Sequence, residues 1–91
     1  MPYIDQGSRQ RVDPAIDKLI AQLQPRGDIR MAPGELNYVI TRLLLAAWSV
    51  NPSYTVGNGL VGVLDCAKAE FYRRHLAPYE DEKIEQNGDV H

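Results

Sequence analysis

The stretch Ala67-Lys68-Ala69-Glu70-Phe71-Tyr72-Arg73-Arg74-His75-Leu76-Ala77-Pro78-Tyr79-Glu80-Asp81 holds more chemically capable side chains than any other part of this chain. Lys68, Tyr72, Arg73 and Arg74 are of the types that hold a phosphate or carboxylate. Arginine offers a planar two-pronged fork, lysine a point charge and tyrosine a hydroxyl donor. Glu70 precedes Arg74 by four residues, however, and at that spacing an ordinary surface ion pair accounts for both; Arg73 is expected on a different side of the helix. A second group lies upstream. Asn37 and Thr41 stand one helical turn apart, with Leu44 and Trp48 continuing the line, and Tyr38 and Arg42 make a neighbouring pair at the same spacing. Amide, hydroxyl and indole groups along a partly buried seam would hydrogen-bond the edge of a ligand while the rings stack on it. Helix–helix packing with local hydrogen bonds is the plainer account of the same residues. Asn37, Tyr38, Thr41, Arg42, Lys68, Tyr72, Arg73 and Arg74 form the candidate ligand-binding set.

Catalytic patterns are weaker. Ser8, Ser49 and Ser53 lack the sharp strand-to-helix context of a nucleophilic serine, and Cys66 has no base in its helical register. His75, near Glu70 and Asp81, has the types for acid–base work, although a histidine near a helix end is more often structural. His75 and His91 are the only histidines, neither at a helical ligand spacing from Cys66, so no metal site and no cofactor are expected. Gly57-Asn58-Gly59-Leu60-Val61-Gly62 spells GxGxxG, but the dinucleotide-binding form of that motif follows a strand and opens a helix. No strand pattern precedes it, and a turn into a closely packed helix is the favoured reading. No enzyme is expected.

The elements that must position these groups belong to a small chain. Ninety-one residues make one domain, which buries only about two-thirds of the surface its unfolded chain exposes. Such a core usually needs disulfides, a metal or self-association to support it. Cys66 is the only cysteine, so no disulfide forms within the chain, and a lone thiol fits a reducing compartment. Self-association is the stabiliser left. The net charge of −2 argues against general nucleic-acid binding, which calls for a basic excess. That charge is uneven: from Tyr79 onward five acids face Lys83 alone, while the preceding body has nine Lys/Arg against seven Asp/Glu. The opening Met1-Pro2-Tyr3-Ile4-Asp5-Gln6 lacks the basic-then-apolar pattern of a secretory leader. The longest apolar run, Leu43 to Trp48, is too short to span a bilayer. A soluble, cytoplasmic protein with no membrane partner is expected.

Periodicity predicts an all-α fold, a three- to four-helix bundle that forms homo-oligomers. Residues 1–12 read as an N-terminal arm, and residues 13–91 as a single helical domain ending in a short acidic helix. Asp13-Pro14 has the chemistry of a helix start, followed by the stripe Ile16, Leu19, Ile20 and Leu23 and a stop at Pro25 and Gly27. A second helix runs from Pro33-Gly34-Glu35 to Asn51-Pro52. Leu36, Val39, Ile40, Leu43 and Ala47 line one side of it, and Leu44, Leu45, Ala46 and Trp48 spread apolar surface around its second half. A helix apolar nearly all round must be covered on more than one side, in part by a second subunit. The third helix is expected from Val56 or Asn58 to Ala77, closed by Pro78, with the stripe Val56, Leu60, Val63, Leu64, Ala67 and Phe71. Gly59, Gly62, Cys66 and Ala69 form a small-residue strip that suits either close approach of another backbone or an irregular helix start. A last short helix follows, with Pro78 in its first turn and Glu80, Asp81 and Glu82 opposing its N-terminal dipole, and it stops at Asn87-Gly88.

Leu36-Asn37-Tyr38-Val39-Ile40-Thr41, Glu70-Phe71-Tyr72-Arg73-Arg74, Ala77-Pro78-Tyr79-Glu80-Asp81 and Asn87-Gly88-Asp89-Val90 together carry a resemblance. The chain resembles, over nearly its whole length, a family of small proteins of unassigned function found in tailed bacteriophages and prophages. The Gly57 to Gly62 segment and the loop Arg26 to Pro33 are less typical of it. The family lends no catalytic or binding residue; what it implies is a viral accessory protein acting in the host bacterial cytoplasm. In that setting the leading expectation is a non-enzymatic oligomer that sequesters an anionic small molecule, such as a nucleotide signal of host immunity. The alternatives are an inhibitor or adaptor of a host enzyme, and a virion assembly factor.

Overall fold

Asp5, not Asp13, supplies the first helix start. In the computed structural model, which describes residues 4–91, the Asp5 carboxylate accepts the Ser8 backbone N–H at 2.8 Å and the Ser8 hydroxyl at 3.3 Å. The Asp5 carbonyl accepts the Arg9 N–H at 3.0 Å. With its free N–H groups taken up there, helix α1 spans Gln6–Leu23. Residues 6–12, expected as an arm, are therefore helical, and the arm's residues 1–3 lie outside the described residues. Pro14 sits inside α1, where a missing N–H and a ring clash cost about 3 kcal/mol. The Asp-Pro pair carries start chemistry, but the Asp5–Ser8 cap lies upstream and is the one in use. At the other end the Gln24 N–H donates to the Ile20 carbonyl at 2.8 Å, and Pro25 follows.

Helix α2, Pro33–Val50, begins with Pro33 in its first turn and has no side-chain cap at Ala32. It ends where expected: Asn51 leaves the helical region, with φ −155° and ψ 79°, and the residue before a proline disfavours helix. Helix α3, Tyr54–Phe71, starts earlier than its apolar stripe suggests, because Ser53 caps it. The Ser53 hydroxyl oxygen accepts the Val56 N–H at 3.2 Å and its carbonyl accepts the Gly57 N–H at 2.9 Å. The GxGxxG segment lies wholly inside α3, and no strand occurs among the described residues, so the dinucleotide-fold reading has no support. Gly59 and Gly62 lie within the regular helix rather than at an irregular start. A Cβ added at either would meet nothing within 4 Å among the described residues, so neither glycine serves a close approach among them.

Pro78 does not close the third helix. The chain passes through a π-helical turn, Tyr72–Leu76, directly into helix α4, Ala77–Asn87. In that turn the Ala77 N–H donates to the carbonyl of Tyr72, five residues back. A proline in an α-helix strikes the carbonyl four residues earlier and leaves it without a donor; one wide turn moves that carbonyl away and lets the helix continue. The turn also resets the register. Eight residues along an α-helix amount to about 80° of azimuth, but one extra residue brings position i+8 to within about 20° of position i. Glu80 is thereby turned toward Tyr72. The expected stop at Asn87-Gly88 is present: Gly88 adopts φ +87°, a conformation that favours glycine, and its N–H donates to the Ile84 carbonyl at 2.8 Å.

The chain is all-helical among its described residues, and it divides into two units, one ending at Asn51 and the other beginning at Pro52. In the first unit, α1 and α2 make no extensive contact with one another; in the second, α3, the π turn and α4 succeed each other as one continuous rod. No described residue is buried. Leu43 of α2 is 64% exposed and Phe71 of α3 is 62% exposed, and Ile16, Leu19 and Ile20 of α1 are exposed as well.

Candidate functional site

The candidate residues fall into one cluster in each unit. In α2 the Thr41 hydroxyl donates to the main-chain carbonyl of Asn37 at 2.9 Å. That bond is the common fate of a threonine inside a helix, and it ties the hydroxyl to its own backbone rather than presenting it to a ligand. Tyr38 and Arg42 do come together: Arg42 Nη1 donates to the Tyr38 hydroxyl oxygen at 3.0 Å, with the guanidinium carbon 5.7 Å from the ring centroid. The distance is at the outer limit for a cation over a ring, so the hydrogen bond is the main term. Asn37, Tyr38, Thr41 and Arg42 are all exposed. The expected half-buried seam is absent from this unit because no other part of it covers that side of α2.

The second cluster differs from its expected geometry in one decisive respect. Arg73 was expected to face away from Glu70, yet both arginines bind it. Arg73 Nη2 donates to Glu70 Oε1 at 2.9 Å, and Arg74 Nε donates to Glu70 Oε2 at 2.8 Å. Positions i+3 and i+4 flank position i on a helix surface, and long guanidinium arms close the remaining gap. One carboxylate thus gathers two guanidinium groups, one on each oxygen, in a cluster that stays wet: the side chains of Arg73 and Arg74 are 66% and 55% exposed, and that of Glu70 is 32% exposed. Lys68 is exposed, one turn before Tyr72.

Tyr72 is the residue the π turn repositions. Its hydroxyl donates to the Glu80 carboxylate, and that bond, followed by the negative charge of Glu80, partial desolvation and the charge of Asp81, raises the phenol above its ordinary value. The neighbouring acids oppose formation of a phenolate, so Tyr72 is held as a donor.

Sequence reasoning did not anticipate two further features. Phe71 and His75 meet in a tilted arrangement, with ring centroids 5.4 Å apart and planes at 41°; their i, i+4 spacing was a visible signal. Beyond Gly88 the last residues and α4 form a shallow concavity of ≈ 360 Å³, open to solvent and lined by Tyr79, Lys83, Asn87 and His91 among others. In it Lys83 Nζ lies 5.4 Å from the Tyr79 ring centroid and 3.4 Å from Gln86 Oε1. The Tyr79/Lys83 spacing was legible, whereas the path of the chain past Gly88 was not. Among the described residues no group of three or more His, Cys, Asp or Glu side chains is placed to hold a metal ion, and no helix is long and apolar enough to cross a membrane.

Residues 1–90 match the family described as Domain of unknown function (DUF6899). The chain belongs to that family. The DUF6899 match takes in both units and both clusters, so neither lies in an appendage to the domain. Comparison with curated proteins and with solved structures gives no match to this DUF6899 chain.

Proposed function

We propose that this chain is a non-enzymatic binding protein that works as a helical homo-oligomer and sequesters an anionic small molecule of nucleotide type. One observation carries the reading: every long helix has an apolar stripe, yet no described residue is buried. Fully burying a Leu, Ile, Val or Phe side chain is worth roughly 1.5–3 kcal/mol relative to leaving it in water. A chain of this size that leaves such stripes open is best supplied with a core by further copies of itself, which complete the three- to four-helix bundle that its periodicity calls for. The cations stand at the end of one stripe. Arg74 follows Phe71 by three residues and Ala67 by seven, so stripes that join across copies carry guanidinium groups toward a shared, less solvated region. Charge-assisted hydrogen bonds to an anion strengthen there.

The resemblance to small proteins of tailed phages supplies a setting: an accessory protein in a host bacterial cytoplasm, holding a nucleotide immune signal away from its effector. Sedimentation equilibrium tests the assembly, and a well-behaved monomer at micromolar concentration would sink it. Calorimetry against cyclic nucleotides and ADP-ribose derivatives tests the ligand; heat from none of them would remove the sponge reading. The exposed Leu43, Leu45 and Trp48 of α2 favour a second reading, a module that occupies a host enzyme or serves as its adaptor. The two part cleanly, because that module binds a protein in fixed stoichiometry and no small anion. A virion assembly factor would instead be present in purified particles.

A further inference from the structure

Resting on the anion-binding reading above, we propose that Glu70 is a built-in occupant of the Arg73/Arg74 fork, and that the ligand is a phosphate-bearing anion whose doubly charged terminal phosphate displaces it. The fork is already assembled. Two guanidinium groups converge on one carboxylate at 2.9 Å and 2.8 Å, so much of the ordering that an incoming oxyanion would otherwise impose on two flexible arms is in place. Within a single chain the hold on them is weak, because both pairs are solvent-exposed and join residues three and four apart on one helix, the class of ion pair that contributes least.

The charge of the ligand follows from the same geometry. A singly charged carboxylate brings no more charge than Glu70, which is tethered to the site and present at a high effective concentration. A terminal phosphate brings nearly twice the charge and three acceptor oxygens, so it competes where a carboxylate does not. Tyr72, the first residue of the π turn, shows the same arrangement: its hydroxyl is given to Glu80. Internal carboxylates thus stand on the arginine fork and on the adjacent tyrosine, and the resting site is closed by its own acids.

The test uses the full chain and isothermal calorimetry with inorganic phosphate and with acetate, at about pH 8, where a phosphate carries close to its second charge. Glu70→Gln removes the occupant while keeping helix propensity nearly unchanged. Glu85→Gln makes the same change of net charge at an exposed position outside the cluster. Glu70→Gln is expected to tighten phosphate binding about three- to fivefold, Glu85→Gln to leave it unchanged, and the double change Arg73→Gln/Arg74→Gln to abolish it. The wild-type chain is expected to prefer phosphate to acetate. If Glu70→Gln tightens phosphate no more than Glu85→Gln does, while the arginine double variant still loses binding, the occupant role of Glu70 is overturned and the anion site stands. Equal gains for acetate and phosphate would overturn the assignment to phosphate. No binding of phosphate by either the wild type or Glu70→Gln would overturn the inference and the anion reading together.

Discussion

Helix α2 and the rod made by α3, the π turn and α4 dispose of their polar groups in opposite ways. In α2 the hydroxyls turn back on their own helix: Thr41 bonds the Asn37 carbonyl, and Ser49 bonds the Leu45 carbonyl at 2.7 Å. What the second half of α2 offers outward is mainly apolar, while its first half also shows Glu35, Asn37 and the Tyr38–Arg42 pair. In the rod, side chain meets side chain: Glu70 with Arg73 and Arg74, Tyr72 with Glu80, Lys83 with Gln86. Hydroxyls satisfied by local carbonyls cost a helix little and specify nothing outside it. Charged groups that satisfy each other can be re-partnered. On the proposed reading, α2 would serve association and the charged end of the rod recognition.

The largest effect is expected from breaking the first half of that contrast. Leu43→Asp puts a charge in the middle of the exposed α2 stripe, and burying it in an interface is strongly unfavourable. Association is expected to weaken at least about a hundredfold, read by sedimentation equilibrium, whereas Lys68→Asp in the rod leaves association intact and weakens the binding of an anion. An unchanged oligomer in Leu43→Asp would mean that α2 is not the associating helix.

Next comes Pro78→Ala. Without the ring the wide turn loses its reason, and a regular α-helix would turn α4 by about 100°, taking Glu80 away from Tyr72. The Tyr72 phenol, raised by that acid, should fall back toward the ordinary value near 10, followed by NMR of its ring signals against pH. The sign is specific. A raised phenol contributes stability that is fully present below the unfolded value and is lost as pH rises through the raised one, so Pro78→Ala should reduce the alkaline loss of stability. A Tyr72 titration that does not move would sink the register account of the π turn.

The smallest effect is expected at the start of α1. The Ser8 backbone N–H, then the Ser8 hydroxyl, hold the Asp5 carboxyl below its ordinary value of 3.8. A depressed carboxyl contributes stability that is present above the unfolded value and is lost as pH falls through the lowered one. Acid should therefore fray the first turn of α1, seen as a small loss of helical circular dichroism. Asp5→Asn, still a good cap, should make that loss independent of pH in this range.

The helical class and the bounds of α2 were legible in the sequence because Pro33, Asn51-Pro52 and the intervening stripe all point the same way. So was the end of α4, where Gly88 supplies the conformation its position demands. Pro78 stands in the first turn of α4 as expected, but it does not end the preceding helix, nor does Pro14 start one, and both departures have one cause. Proline forbids a donor, but whether a helix starts, stops or widens around it depends on neighbours: an upstream Asp5–Ser8 cap at one site, a five-residue hydrogen bond from Ala77 at the other. In the candidate site the i, i+4 pairs Tyr38/Arg42 and Glu70/Arg74 were readable from spacing alone. Arg73 reaches Glu70 despite its different azimuth because a guanidinium extends several ångströms beyond the Cβ. The Tyr72–Glu80 bond could not be read, since it exists only after one residue is added to the turn.

That added residue can also be taken away. Omitting one residue between Arg73 and Leu76 would leave α3 and α4 facing as they now do, because the surplus is confined to a single loop of backbone. Removing the ring at position 78 swings the two apart, while shortening the chain keeps their faces aligned and restores only the clash. Orientation and strain at this joint are therefore separable by two small changes, and natural relatives one residue shorter here could keep the same surface.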